Sequence, residues 1–350
     1  MERKARINEI VPVSQEAKLL CRKKWNHVAK PLESLGELEE LIVRCAGITR
    51  TALPQLKKKC VLVFCADNGI VECGVAQSDH AVTTSIAQSM VRHTTSVCTM
   101  ASAAGADVFP VDVGMIDAVE GMIDCKLMNG TRNFTKGPAM DRETAVRALE
   151  VGISMVEQRV KEGYQLIATG EAGIGNTTTS SAICAVLLDM PVETVTGRGS
   201  GLTNEGLVRK IETIEKGIRL NKPDPKDPVD VLSKVGGLDI AAMAGAFLGG
   251  AMYHVPVIAD GLISMVAALV AVRLNPLVKG YILPSHLTAE PAGQALCREL
   301  EIRPIINAGM RLGEGTGAVA LMPLLDLASA VYYHAASFEE ISVEAYQKLC

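Results

Sequence analysis

The sequence predicts an α/β protein built on a doubly wound, mostly parallel sheet. Two patterns carry that expectation. Short apolar runs recur along the chain, each ending in a polar or glycine-bearing tip, as buried parallel strands do. Helical stretches separate them, and strands alternating with helices mean a sheet covered on both faces. A third observation agrees. Aromatic residues are only 3% of the chain while glycines number 31, so the core is aliphatic and its helices can sit close on a sheet.

The elements follow in order. SLGELEELIVRCAG sets Leu35, Leu38, Leu41 and Ile42 at helical spacing, so the N-terminal segment reads as helical. KKKCVLVFCADNGI is the first strand, with apolar Val61 to Phe64 and a tip of Ala66, Asp67, Asn68 and Gly69. ADVFPVDVGM is the second, ending in Asp112 and Gly114. DRETAVRALEVGISMVEQRVKEG is a helix capped by Asp141, with Glu143 in its first turn. YQLIATGEAGIGNTTTSSAICAVLL reads as strand, glycine loop and helix. VPVIADGLISMVAALVAV gives a strand over Val255 to Ile258, a tip at Asp260 and Gly261, then another helix. KGYILPSHLTAE closes the series, with Pro284, Ser285 and His286 at its tip. Ligands of such sheets bind beyond the carboxyl ends of the strands, so these tips are expected along one edge. NKPDPKDPVD, Asn221 to Asp230, reads as a surface loop. From Leu321 onward the chain is helical again and is expected to fold back on the N-terminal helices.

The 350 residues suit one large domain with an appendage, or two domains. Net charge is −4 and the strongest basic cluster is Lys57 to Lys59, so nucleic acid is not an expected partner. MERKARINEIVPVSQEAKLL lacks the apolar core of a secretory signal. The longest apolar stretch, Leu238 to Leu274, is interrupted by Asp239, His254, Pro256 and Asp260, so no membrane span is expected. The ten cysteines form no C-x-x-C pair, and several sit in apolar runs. They read as reduced, mostly buried thiols of a cytoplasmic protein. Cys65, Cys73 and His80 are the best metal-ligand grouping, a poor one, and no metal is expected.

Five segments could carry chemistry. GEAGIGNTTTSSA, Gly170 to Ala182, follows a strand and opens a helix. Its glycines let backbone approach a ligand, and a helix N-terminus favours phosphate. It is neither a Walker A loop nor G-x-G-x-x-G, and a plain glycine turn with Thr caps is an equal reading. TGRGSGL, Thr196 to Leu202, is a second flexible loop. Lys210, on EGLVRKIETIEKGI, reads from its surroundings as a solvated surface lysine. PSHLTAE offers Ser285, His286 and Thr288, although a strand-tip His is more often structural than catalytic. RLGEGTGA, Arg311 to Ala318, sets one carboxylate, Glu314, among three glycines. Poor helix propensity there argues against an Arg311–Glu314 pair across a helical turn. Low crowding admits a substrate, so Glu314 is either a general base or a turn-forming residue.

Taken together, GEAGIGNTTTSSA, KVGGLDIAAMAGAFLGGA, PSHLTAE and MRLGEGTGA, in this order, resemble the nicotinate-nucleotide–dimethylbenzimidazole phosphoribosyltransferases. These enzymes act in assembly of the lower, nucleotide loop of cobalamin. KPLESLGELE, CADNGIVECGVA and PVDVGM match the family's pattern too, so the resemblance covers nearly the whole chain. It implies a Rossmann-like parallel-sheet domain over residues 56–320, a small helical lobe from 1–55 and 321–350, and a homodimer. It implies transfer of the 5-phosphoribosyl group of nicotinate mononucleotide to a benzimidazole-type base, usually 5,6-dimethylbenzimidazole. The products are α-ribazole 5′-phosphate and nicotinate, with no metal or bound cofactor. Glu314 is implied as the base that takes the acceptor's N–H proton, and Glu171 as a ribose contact or secondary acid. Gly173, Gly175, Asn176 and Thr177, with Lys210 and Thr288, are implied around the ribosyl phosphate. Ser200 and Leu202 are implied beside the nucleotide, and Ser78, Ile86 and Leu312 at the base pocket. Asp239 and Asp260 are buried acids that could orient the site.

The chain departs from the family's pattern in places. Ala66–Gly69 reads A-D-N-G where A-D-H-G is common, and Ser78 is followed by Asp79 rather than Pro. A Gln that often lines the base pocket is here Ile86, with Gln88 two residues on. An apolar Ile implies relaxed base choice, extending to other benzimidazoles, adenine or a phenol. Three further readings compete: transfer only to a phenolic or purine base, a non-catalytic nucleotide-binding partner subunit, and a glycosidase with water as acceptor.

Overall fold

In a computed structural model, which describes residues 7–346, the first expected strand runs over Lys59–Ala66 (β1), and every residue of it is buried. It is buried because it has neighbours on both edges. β1 pairs in parallel with Ala106–Gly114 (β2) on one side. A two-residue strand, Ile123–Asp124 (β3), extends that side. On the other edge β1 pairs in parallel with Leu166–Ala172 (β4), followed outward by Val257–Ala259 (β5) and Ile282–Pro284 (β6). The order is β3-β2-β1-β4-β5-β6. The chain therefore builds outward from β1 in one direction and then, from β4, in the other. Their junction is the switch point at which doubly wound sheets open a crevice for ligands. Because all the strands run one way, Asp67, Glu171, Asp260 and Ser285 end up along one edge.

The fold class is as expected, and the differences are local. The fourth expected strand begins two residues later, at Val257. β3 is too short to leave an apolar run in the sequence. NKPDPKDPVD is not loop throughout. The helix Asn204–Asn221 runs into it, and Asp227 caps a new helix, Pro228–Val235, by accepting from the amides of Val229 (3.1 Å) and Asp230 (3.2 Å). Proline at the first helical position is a start signal that the surrounding prolines conceal.

Helix Arg142–Lys161 is capped as expected, with the Asp141 carboxylate accepting from the Thr144 amide at 2.7 Å. It packs on the apolar helix Leu238–Tyr253. Small residues set the spacing. A Cβ on Gly152 would stand 1.8 Å from the Ala242 carbonyl oxygen, and one on Gly245 2.0 Å from that of Leu149. The two backbones touch.

The helix Thr316–His334 crosses residue 320 without a break and packs on the N-terminal helix Glu37–Thr49. Tyr332 meets the Trp25 ring at 4.9 Å and donates its hydroxyl to the Ala52 carbonyl at 2.7 Å. By length and mean hydropathy (1.3) this helix could cross a membrane, but half of its apolar window is buried in the fold, as in a core helix. Cys45 and Cys184 are free, buried thiols that burial pushes up to about 12, which leaves them inert. Cys350 lies outside the described residues.

Any side chain at the touching helices forces them apart. Gly152→Val is expected to destabilise the protein by about 1–3 kcal/mol in a urea titration, the usual range for overpacking. Lys161→Ala, on the exposed face of the same helix, is expected to change stability by less than about 0.5 kcal/mol.

Candidate active site

The glycine loop after β4 is built by close approach. A Cβ on Gly173 would stand 2.6 Å from the Ala66 carbonyl oxygen at the end of β1, so only glycine fits. Gly175, at φ +93°, turns the chain into the helix Asn176–Leu187. The first residue of that helix, Asn176, is buried and aims its amide nitrogen between two acids. It donates to Asp239 Oδ2 at 3.0 Å and to Glu171 Oε2. Burial pushes the Glu171 carboxyl up to about 8, with the charges of Asp239, Asp260 and Glu314 adding and the Asn176 bond opposing. Asp239, fully buried at the start of its helix, is pushed up by burial to about 6 against the hydrogen bonds it accepts.

RLGEGTGA crosses the same edge. Gly313, Glu314 and Gly315 are all left-handed, at φ +93°, +61° and +93°, and the helix begins only at Thr316. Arg311 therefore shares no helical turn with Glu314 and remains exposed. The loop lies directly on β4: a Cβ on Gly170 would stand 2.3 Å from the Glu314 carbonyl oxygen. Glu314 is half-buried and its Oε2 accepts from the Val97 amide at 3.3 Å. Burial raises its carboxyl, the Val97 bond opposes, and the Asp260 charge raises it further.

The other end of the site is cationic. Lys210 is not solvated but 1% exposed. Its ammonium donates to Thr177 Oγ1 (2.8 Å) and the Gly197 carbonyl (3.1 Å). Burial lowers it to about 8, and Glu290 opposes that shift. Glu290 Oε2 is itself buried without a hydrogen-bond partner among the described residues.

Both ends open into one cleft of about 190 Å³. Glu171, Gly173, Gly175, Asn176, Thr177, Ser200, Thr288, Ile86, Leu312 and Glu314 line it. Lys210 stands behind Thr177, and Leu202 is buried beneath the loop, packed near Gly206. Ser78 does not line it. That residue precedes Asp79, the cap of the helix His80–Val91, and Val75 and Ala76 form the wall beside Ile86. The lining residues that sequence reasoning did not single out include Val75, Ala76, Arg198, Ile263, Ser264 and Glu290. Arg198 and Glu290 fall inside the quoted motifs TGRGSGL and PSHLTAE, and glycine or strand-tip context was their only signal. Among the described residues no group of three His, Cys, Asp or Glu side chains could hold a metal ion.

A family profile described as phosphoribosyltransferase matches residues 10–343. The chain is 46% identical over 330 residues to the nicotinate-nucleotide–dimethylbenzimidazole phosphoribosyltransferase of Acetivibrio thermocellus, covering 94% of each. The chain belongs to that family. The relative of the same description from Clostridium acetobutylicum is also 46% identical, over 331 residues and 94% of each chain. The crystal structure of CobT from Thermus thermophilus superposes with a TM-score of 0.89 at 35% identity, over 95% of this chain and 100% of that one. This phosphoribosyltransferase thus shares its fold with a solved relative along almost its whole length.

Glu171 has a stability signature. Its folded value lies above the ordinary carboxyl value of 4.5, so the folded state holds the proton more tightly than the unfolded one. Its contribution is fully present below 4.5 and is lost as pH rises through about 8. Glu171→Gln keeps an acceptor for Asn176 and removes the titration. The melting temperature of this variant relative to the parent is expected to climb between pH 5 and pH 8, read by calorimetry across that range.

Proposed function

We propose that this enzyme transfers the 5-phosphoribosyl group of nicotinate mononucleotide to 5,6-dimethylbenzimidazole or a related base, releasing nicotinate and α-ribazole 5′-phosphate. The observation that carries the reading is one cleft lined by the Gly173–Thr177 helix start at one end and by Glu314 at the other. The helix start, with Lys210 behind Thr177 and Thr288 in the same cleft, is suited to the ribosyl phosphate. Ser200 and the Leu202 segment flank the nucleotide.

The leaving nitrogen of the nucleotide is already cationic, so it departs with the C1′–N electron pair and needs no acid. Positive charge builds on the ribose as that bond breaks, and the surrounding carboxylates offset it. One benzimidazole nitrogen attacks C1′ from the opposite face, turning β into α. The other nitrogen gives its proton to Glu314. A carboxylate raised by burial is the stronger base for that step. Glu171, held largely protonated at neutral pH, donates to a ribose hydroxyl oxygen rather than taking the proton. No step calls for a metal or a redox cofactor.

Val75, Ala76 and Ile86 form an apolar wall, which supports a base pocket of shape rather than of hydrogen bonds. Leu312, exposed and lining the same cleft, is a candidate to cover the base. We read the active form as a cytoplasmic homodimer, with the N-terminal helices and the C-terminal helix forming a small lobe beside the sheet domain.

Glu314→Gln is expected to fold normally and to lose roughly 10²–10⁴-fold in turnover, the range of a positioned base. Chromatography of nicotinate and α-ribazole phosphate checks it, and undiminished turnover removes Glu314 from the role. In competition, dimethylbenzimidazole is expected to outpace adenine or a simple phenol by no more than about 10–200-fold, the reach of an apolar pocket. A preference far beyond that would show a hydrogen-bonding pocket instead.

A further inference from the structure

Asp260 follows β5, and its carboxylate is buried. It reaches the loop that carries Glu314. Oδ2 accepts from the Gly315 amide at 3.2 Å, and Oδ1 from the Ala318 amide at 3.0 Å. Burial raises the Asp260 carboxyl, and His286 and the neighbouring backbone amides oppose that. From β6, His286 brings Nδ1 to 3.9 Å of Oδ1, and that ring is held by Ser285 Oγ at 3.2 Å. No room is left on this side: a Cβ on Gly317 would stand 1.9 Å from His286 Nδ1.

Two facts make this more than a helix cap. The residue ahead of the clamped Gly315 amide is Glu314 itself, at φ +61°. A non-glycine residue is left-handed only when its surroundings hold it there. Gly170 of β4 leaves space for the Glu314 carbonyl on one face, and Asp260 fixes the next amide on the other. Asp260, just beyond β5, thus holds the turn that carries the Glu314 carboxylate.

We propose that Asp260 is the positioning residue for the base, clamping the Gly313–Gly315 turn so that the Glu314 carboxylate faces the cleft. The inference rests on Glu314 being the base. It also has an electrostatic side. The charged and titratable groups around Glu314 are Glu171 from β4, Asp260 from β5, His286 from β6 behind Asp260, and exposed Arg311 on its own loop. Helix Ser96–Ala103 contributes the Val97 amide. Asp260→Asn removes one negative neighbour and leaves one clamped amide facing an N–H.

The test is steady-state kinetics across pH with nicotinate mononucleotide and dimethylbenzimidazole, for Asp260→Asn, Glu314→Gln and the double variant. Asp260→Asn is expected to lower kcat by roughly 10–100-fold, the scale of a small misplacement of a reacting group. KM for nicotinate mononucleotide is expected to hold within about 2-fold, because the phosphate end is untouched. The acid limb of kcat is expected to move to lower pH, as loss of the neighbouring charge eases ionisation of Glu314. In the Glu314→Gln background the second change should cost nothing further. A kcat within about 3-fold of the parent, or a loss fully additive with Glu314→Gln, overturns the clamp. If Asp260→Asn fails to fold, Gly315→Ala decides in the same way. Its Cβ would stand 2.8 Å from Val61 Cγ1 and would shift the same turn without touching an acid. Full activity of Glu314→Gln alone would instead refute the base reading, and this inference with it.

Discussion

Backbone touching backbone is the constraint on which the rest of the structure depends. Three such contacts bring the essential pieces together. Gly152 and Gly245 let the helices Arg142–Lys161 and Leu238–Tyr253 meet, which sets the depth of the layer under the sheet. Gly173 lets the loop after β4 lie on the end of β1. Gly170 lets the Glu314 turn lie on β4. A methyl group at any of them would collide with a carbonyl oxygen, an atom that cannot swing aside as a side-chain end can. The aliphatic, aromatic-poor composition follows from the same constraint, since large rings have no place between layers this close.

Close approach gathers acids, and that is where stability gives way to function. Glu171, Asp239, Asp260 and Glu314 share one small region at the switch point, while the buried cation Lys210 is committed to Thr177 and Gly197. Like charges in a dry site cannot all ionise, so the protein separates their roles. Burial raises both carboxyls, but Asp260 accepts from backbone amides that favour its charged form, whereas Glu171, with a single side-chain donor, is pushed up to about 8. A cationic substrate would relieve this crowding on arrival. Binding energy is then concentrated where positive charge develops, which is the useful place for it.

How much of this could be read from the chain depends on how local each signal is. The buried strands were legible because a parallel strand covered on both faces must be apolar throughout, as Val61 to Phe64 are. Their tips followed from parallel topology alone. β3 was not legible, since two residues carry no pattern. Lys210 misled because its helix is amphipathic and a lysine on such a helix belongs by default in water. The groups that hold it lie 33 and 13 residues away in sequence. Asp260 was visible as a strand-tip acid, but its work was not, because the amides it clamps come 55 and 58 residues later. The motif resemblance supplied roles for residues whose physical partners only the fold assembles.

The lone carboxylate in RLGEGTGA is explained by its backbone. A glutamate on a regular helix or strand points where the element's geometry sends it. On a left-handed residue between two left-handed glycines, it leaves the chain in a direction no regular element offers. The conformation costs about 1 kcal/mol or more for a residue with a Cβ. The hydrogen bonds from Gly315 and Ala318 to Asp260 offset it, at about 0.5–1.5 kcal/mol each. The balance favours the strained turn while Asp260 is in place to accept those bonds. The geometry of one acid thus depends on the hydrogen bonds of another, while the flanking glycines are required by their own left-handed φ and close contacts.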